Sequence, residues 1–236
     1  MSDERPSSSA PPGPITSLDD PRVVQILSTE HWSLLSARSL AYNEAFARGG
    51  MFLTFLSMSF VALALLAQGM SFGEQFLTIA AIVLAFDFVI GLVTYGRING
   101  ANVDDLRAVH GMARIRHGYT QIAPIATPYF TTATYDDPNS IVEIYGSPYR
   151  TGPGLLLYGF TTSGGMVGLI TSMVGGVLIG VLGLMVGVPG DLAVWVGLIG
   201  FIVVMAVIVA ITAGAVPRHQ DDLKVLFPAP EPESEK

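Results

Sequence analysis

The sequence predicts an all-α integral membrane protein with four transmembrane helices in two hairpins. Half of the 236 residues are hydrophobic and only 13% are charged, whereas a soluble domain has about 25% charged residues. The charges are also segregated, because long uncharged stretches alternate with charged ones. Four of these apolar stretches each supply the roughly 20 residues that a spanning helix needs.

The predicted spans are residues 51–69, 76–95, 163–187 and 192–215. The uncharged stretch 151–190 is too long for one crossing, so its first part, around Pro153 and Tyr158, is expected to approach the membrane at the interface. The N-terminal residues lack an apolar core, which predicts no cleavable signal peptide and makes the first span an uncleaved anchor.

The basic residues predict the orientation of the spans. The loops 68–75 and 188–191 contain no Lys or Arg, and all twelve basic residues lie in the other three segments. Positively charged loops stay in the cytoplasm. We therefore predict a multi-pass protein of the cell membrane, with both termini and the central segment 96–162 in the cytoplasm.

The two ends of the chain are predicted to be disordered, solvated tails. Residues 1–18 are rich in Ser and Pro, and residues 216–236 are acidic and end in PAPEPESEK. Such segments bury too little apolar surface to fold. An interaction tail is the alternative interpretation.

Residues 19–50 are predicted to form an amphipathic cytoplasmic helix. Asp19, Asp20 and Pro21 mark its start, since Asp caps helices and Pro is favoured at the first helical position. Gly49 and Gly50 mark a possible bend before the first span. One face carries residues at spacings of three and four, which is typical of an amphipathic helix: Trp32, Leu35, Ser39, Tyr42 and Phe46. This stripe either lies on the inner leaflet or packs on the central segment, and we favour packing.

The central segment is predicted to be short and helical. A helix over residues 102–121 either continues from the second span or is broken from it at Gly96 and Gly100, and prolines end it. Asp136 and Asp137 precede Pro138 and start a second helix that runs through Tyr145. We interpret the two carboxylates as helix caps and not as a catalytic pair.

Three arginines give the central segment a basic character: Arg107, Arg114 and Arg116. They contact anionic lipid headgroups, or bind an anionic ligand or partner, or serve only as the orientation signal, which is the interpretation we favour. His110 and His117 are seven residues apart, farther than the usual spacing of four for metal ligands on a helix. We predict no metal site.

Asp87 is the one ionisable residue inside a predicted span. A charged residue there costs about 2.5–3.5 kcal/mol, which the apolar residues of the same helix offset by roughly 4–7 kcal/mol. Such residues usually face the bundle interior. Asp87 either binds a proton or cation, or it bonds to a neighbouring hydroxyl, for which the candidates are Ser57, Ser59, Thr171 and Ser172.

Small residues recur every four positions in the third span: Gly164, Gly168, Ser172, Gly176 and Gly180. Small residues at this spacing let two helices approach closely. Because four exceeds the 3.6 residues of a turn, the row drifts around the helix and favours a crossing. We predict packing against the fourth span or a sister subunit, and the alternative is a weakened helix that lines a transport site.

Several runs carry a resemblance to known proteins. They are EHWSLLSARSLAYNEAFARGGMFLTFLS, RIRHGY, PYF with the following Asp pair, and the Gly-rich third span. On these runs, most of residues 30–215 resembles an uncharacterised group of bacterial four-helix membrane proteins that have no assigned function. The resemblance implies a membrane architecture of two hairpins and no activity, cofactor or site residue.

The sequence supports an interaction protein better than an enzyme. It has no phosphate-binding loop, HExxH, GxSxG or dinucleotide fingerprint, no basic-aromatic surface for nucleic acid, and no cysteine. We predict no enzymatic activity and no cofactor. The main hypothesis is a scaffolding protein with a protein partner at the cytoplasmic face, possibly a homo-oligomer. The alternative is a small oligomeric transporter or channel that uses Asp87.

Overall fold

The computed structural model describes residues 15–70, 72–145, 159, 161–221 and 224–230. Within these ranges the regular elements are α1 Pro21–Met70, α2 Glu74–Ile122, a 3-10 helix Pro124–Tyr129, α3 Pro138–Ile144, α4 Ser163–Met185 and α5 Gly190–Asp221. Residues 1–14 of the predicted tail 1–18 lie outside the described residues, as do residues 231–236. Residues 146–158, which include the predicted membrane approach around Pro153 and Tyr158, lie outside them as well.

The four long helices are α1, α2, α4 and α5, and each is long and apolar enough to cross a membrane. This confirms the all-α class and the number of candidate spans. α2 is the central element, because it packs along both α1 and α4, while α4 also packs along α5. The core between them includes Phe52, Leu56, Leu84, Val167 and Val174.

α1 and α2 are far longer than a membrane is thick. They have 50 and 49 residues, or about 75 Å each at 1.5 Å per residue, against a hydrocarbon core of about 30 Å. The parts outside the predicted spans, residues 21–50 and 96–122, form a two-helix projection of about 40–45 Å. We call this projection the stalk.

The stalk helices continue without interruption into the spans. The possible bend at Gly49 and Gly50 does not interrupt α1, and the possible break at Gly96 and Gly100 does not interrupt α2. A glycine costs a helix about 1 kcal/mol relative to alanine. Packing of α1 against α2 along their length offsets this cost. The low helix propensity of these glycines therefore does not produce a hinge.

The row of small residues on α4 is used within the chain. Gly164 faces Ile98 of α2, whereas a Cβ added to Gly176 would lie 2.7 Å from the carbonyl oxygen of Gly197 on α5. Gly180 also lies against the α5 backbone, at Ala193 and Gly197. The row therefore turns from α2 to α5 along α4, as its four-residue spacing predicts.

The middle of the row lies between both neighbours. A Cβ on Gly168 would lie 2.9 Å from the Tyr95 ring and 3.5 Å from Ile208. The Ser172 hydroxyl donates to the carbonyl oxygen of Gly168 at 2.8 Å and contacts the sulfur of Met205 at 3.9 Å. These contacts place the row against α2 and α5 within one chain.

The turn between α4 and α5 depends on a glycine. Gly187 has a φ of 86°, a left-handed conformation that side-chain-bearing residues disfavour. The N–H of Val188 donates to the Gly183 carbonyl at 3.0 Å and that of Gly187 to the Leu184 carbonyl at 3.1 Å. This is a Schellman cap, which satisfies carbonyls at the end of α4.

Candidate functional site

The chain beyond α2 folds back against the stalk. α2 ends before Pro124, which starts the 3-10 helix and could not continue the hydrogen-bond ladder. Farther along, Ile141 of α3 is buried against Val109, Met112 and Ala113, with Leu34 of α1 packed beside them. We call the 3-10 helix, α3 and the adjoining part of the stalk the stalk head.

Asp137 is the N-cap of α3. Its carboxylate accepts from the Ser140 N–H at 3.2 Å and from the Ser140 hydroxyl at 2.7 Å, and Pro138 follows at the first helical position. Both features are typical of a helix start. The predicted capping role is confirmed for this residue.

Asp136 has a different role, and its interpretation as a helix cap is wrong. Its carboxylate accepts from the N–H of Leu226 at 3.0 Å, the N–H of Phe227 at 2.7 Å and Nε of Arg114 at 2.8 Å. The N–H of Asp136 donates to the Phe227 carbonyl at 3.1 Å. Asp136 is fully buried, so these bonds replace its contacts with water.

Further contacts fix residues 224–230, which we call the docked segment. Nη2 of Arg114 donates to the Lys224 carbonyl at 2.5 Å, and the N–H of Ala229 donates to Asp137 at 3.1 Å. The Phe227 ring stacks on His117 with centroids 4.3 Å apart and planes 23° apart. The stalk head therefore binds a segment from the other end of the chain, and this segment bends at Leu226 and Phe227.

The docked segment corrects the prediction that residues 216–236 are a disordered tail. α5 continues to Asp221, and residues 224–230 are held at the stalk head. The composition of the tail is typical of disorder, but its partners lie about ninety residues earlier in the chain. No local pattern could reveal them.

The docked segment is recognised mainly through its backbone. Val225 and Leu226 leave much of their side chains exposed, while the polar contacts involve main-chain N–H and carbonyl groups. Burial by itself raises the pKa of Asp136. The Leu226 and Phe227 N–H groups and the Arg114 guanidinium outweigh that effect, so the pKa lies below the ordinary value.

A second carboxylate ties the stalk helices together. Asp105 of α2 is buried and accepts from Nε of Arg38 at 2.6 Å, the Tyr42 hydroxyl at 3.2 Å and the Tyr145 hydroxyl at 2.8 Å. α1, α2 and the end of α3 thus meet at one charge. Burial, with Asp105 nearby, raises the pKa of Tyr145, so its hydroxyl remains a donor.

Three further polar side chains are partly or fully buried on the stalk. Burial lowers the pKa of His110, despite an opposing effect of Asp136, and it also lowers the pKa of His31, with Arg116 contributing. The pKa of Arg116 is lowered by burial and by Arg38. Nδ1 of both histidines and Nη1 of Arg116 lack hydrogen-bond partners among the residues described.

The three predicted arginines do not form one surface. Arg107 is exposed and lies 3.3 Å from Asp104. Arg114 is occupied by Asp136 and the docked segment, and Arg116 is partly buried. Arg107 is therefore the most open of the three to an anionic lipid headgroup, and Arg114 acts in the binding of a peptide segment.

Asp87 lies at a junction of three membrane helices. It is 0% exposed, and its Oδ1 accepts from the Ser59 hydroxyl of α1 at 3.0 Å, which was one of the predicted partners. Its Oδ2 lacks a partner within the described chain, as does Oγ1 of Thr171 on α4. A Cβ on Gly91 would lie 2.5 Å from that Oγ1, so α4 approaches α2 closely one turn from Asp87.

Metal ligands do not gather in the part of the chain that is described: no group of three His, Cys, Asp or Glu side chains is positioned to hold an ion. Neither a family model, nor a curated protein, nor a solved structure matches the chain. The resemblance to bacterial four-helix membrane proteins stays a prediction.

Proposed function

We propose that this protein is a membrane-anchored interaction protein whose stalk head binds short peptide segments. The observation that supports the proposal most is the docked segment, held by Asp136, Arg114 and His117. With the orientation predicted from the basic residues, the stalk head would stand in the cytoplasm, and Arg114 and His117 would lie about 30 Å along α2 from the end of the predicted span.

A partner's segment can use the same contacts. Main-chain N–H and carbonyl groups are present in any peptide, and side-chain contacts then add specificity. Here the side-chain contribution comes from Phe227, whose ring stacks on His117 and is followed by Pro228. The expected partner segment bends so that two consecutive N–H groups reach Asp136, as Leu226 and Phe227 do. It carries an aromatic residue before a proline, and it competes with the protein's own docked segment.

Peptide binding tests the proposal directly. The probe is a fluorescent synthetic peptide with the sequence of residues 224–230, and the receptor is the protein in nanodiscs, either full length or truncated after Asp221. We expect saturable binding to the truncated protein, detected as a rise in fluorescence anisotropy. The full-length protein should bind more weakly, because its own segment occupies the site.

A matched pair of carboxylate variants locates the binding site. Hydrogen bonds to a charged group contribute about 1.5–3 kcal/mol each, so Asp136→Asn should weaken peptide binding about tenfold or more. Asp104→Asn removes an exposed carboxylate of the same stalk and should leave affinity unchanged. Absence of saturable binding to the truncated protein would overturn the proposal.

A transporter or channel that uses Asp87 is the second candidate function. The observation in its favour is that Oδ2 of Asp87 and Oγ1 of Thr171 both lack partners in the described interior, and unpaired polar atoms in a membrane mark functional positions. Against it, Asp87 has no exposed surface in one chain, so a path would require movement or a second subunit.

Proton flux into liposomes separates the two functions. Wild type and Asp87→Asn are compared at equal protein density, with assembly monitored by gel filtration. Under the interaction function, neither protein conducts protons above empty liposomes. Flux in wild type that is lost in Asp87→Asn, with assembly unchanged, would establish the transport function instead.

A further inference from the structure

The outer face of α1 leaves an apolar stripe uncovered along the stalk. Trp32 and Phe46 are 64% and 69% exposed, and Leu35 and Tyr42 are 40% and 38% exposed. With Ser39 they are the stripe that we expected to pack on the central segment. The hydroxyl of Tyr42 does contact the central segment, at Asp105. For Trp32 and Phe46 the expectation is wrong, because α1 packs on α2 through an adjacent face that includes Leu34, Arg38 and Ala45.

The alternative prediction was that the stripe lies on the inner leaflet. Most of the stripe is too far from the membrane for that contact. Trp32 is about 28 Å from Met51 along the helix axis, whereas the headgroup region extends only about 5–8 Å beyond the hydrocarbon core. α1 runs through Gly49 and Gly50 as one helix, so the stalk does not fold down onto the membrane. Only Phe46 is close enough to contact lipid.

The stripe has the spacing of a coiled-coil seam. Its residues are separated by three, four, three and four positions, the alternation that places side chains between two parallel helices. In a parallel pair of identical helices each residue meets its own counterpart, so a charged residue would face a like charge. The stripe carries no charge, and Ser36 and Asn43 on its open flank are also uncharged.

We propose that a second copy of this chain covers the stripe, so that two α1 stalks pack as a parallel coiled coil. Two copies in one membrane have the same orientation, which aligns the two stripes in register. Asp105 contributes by holding the Tyr42 hydroxyl at 3.2 Å, and this bond fixes the ring at the seam. The inference is independent of peptide binding, and it would place two stalk heads on one dimer.

Disulfide trapping in lipid vesicles tests the contact. The chain has no cysteine, so full-length Ser39→Cys places a single thiol on the seam. Ala37→Cys is the matched control, because residue 37 is exposed on the opposite side of the same helix turn. We expect copper-phenanthroline oxidation to give covalent dimer about tenfold faster for Ser39→Cys, since the seam raises the local thiol concentration. Equal rates would overturn the proposal.

A charge placed in the seam gives a second test. Leu35→Glu in the Ser39→Cys protein sets two carboxylates against each other, and like-charge contacts cost several kcal/mol. Cross-linking should fall about tenfold or more, while circular dichroism stays unchanged because Leu35 is exposed. Unchanged cross-linking would contradict the seam. Quenching of Trp32 by brominated lipid in a Trp195→Phe variant would show lipid contact and overturn it as well.

Discussion

Two buried carboxylates outside the membrane spans organise the stalk, and each does so with a different kind of donor. Asp105 takes side-chain donors from Arg38, Tyr42 and Tyr145, and thereby joins three elements. Asp136 takes main-chain donors of the docked segment together with Arg114. Removing either partner of such a buried hydrogen bond leaves the other polar group unsatisfied. The free-energy cost of that unsatisfied group exceeds the net contribution of the bond itself.

Docking at Asp136 should depend on pH in the acid range. Because the pKa of Asp136 is lowered in the docked state, docking is at full strength above the ordinary aspartate range and is lost as the pH falls through the lowered pKa. Titration of peptide binding to the protein truncated after Asp221, from pH 7 to pH 3, measures this loss. Binding that persists undiminished at the acid end would contradict the assigned role of the carboxylate.

The buried histidines should make the stalk sensitive to milder acid. Burial lowers the pKa of His110, so the folded stalk binds the proton less readily than the unfolded chain does. Stability is then complete above the ordinary histidine range and falls as the pH drops below it. The protection factors of the α2 stalk amides, which correct hydrogen exchange for its intrinsic dependence on pH, should fall between pH 7 and pH 5. The same change in His110→Gln would exclude His110 as its source.

At the scale of elements, close approach between α4 and α5 depends on glycines. Gly176→Ala would place a methyl group 2.7 Å from the Gly197 carbonyl oxygen, which lies in a backbone and yields little. We expect a destabilisation of about 1–3 kcal/mol from overpacking, measured as a lower midpoint of unfolding in detergent. An unchanged midpoint in Gly176→Ala would contradict the close approach of α4 and α5.

Gly96→Ala is the matched control for that substitution. Nothing lies within 4 Å of a Cβ added to Gly96, and alanine is the better helix former by about 1 kcal/mol. The variant should therefore raise the midpoint slightly, so the two glycine-to-alanine changes have opposite signs. A lower midpoint for both would mean that the helices tolerate no substitution at glycine in general.

The elements differ in how far the sequence predicts them. The four spans follow from uncharged stretches, and the four-residue row of α4 follows from small residues at one spacing. The continuity of the stalk does not follow, since Gly49 and Gly96 weaken a helix locally and only packing between α1 and α2 retains it. The apolar stripe of α1 was recognisable in the sequence. Whether the stripe points toward α2 or away from it depends on which face of α1 packs on α2, and the sequence does not show that.

At the scale of the molecule, four candidate membrane spans carry a long projection, and the proposed binding site lies near the far end of that projection. The site was not predictable, because Asp136 looks locally like the first half of a helix cap and residues 224–230 look like a disordered tail. The two become a site only when folding brings them together across about ninety residues. Asp87 was predictable from its position alone, and Ser59 was among its expected partners.

The central claim is that Asp136 holds the C-terminal segment against the stalk, and one distance measurement tests it most directly. Because the chain lacks cysteine, nitroxide labels can be attached at Gln121→Cys and Val225→Cys alone. We predict a short, narrow distance distribution in nanodiscs by pulsed electron paramagnetic resonance. It should broaden in Asp136→Asn and remain narrow in Asp104→Asn. A broad distribution in the protein with Asp136 intact would contradict the account.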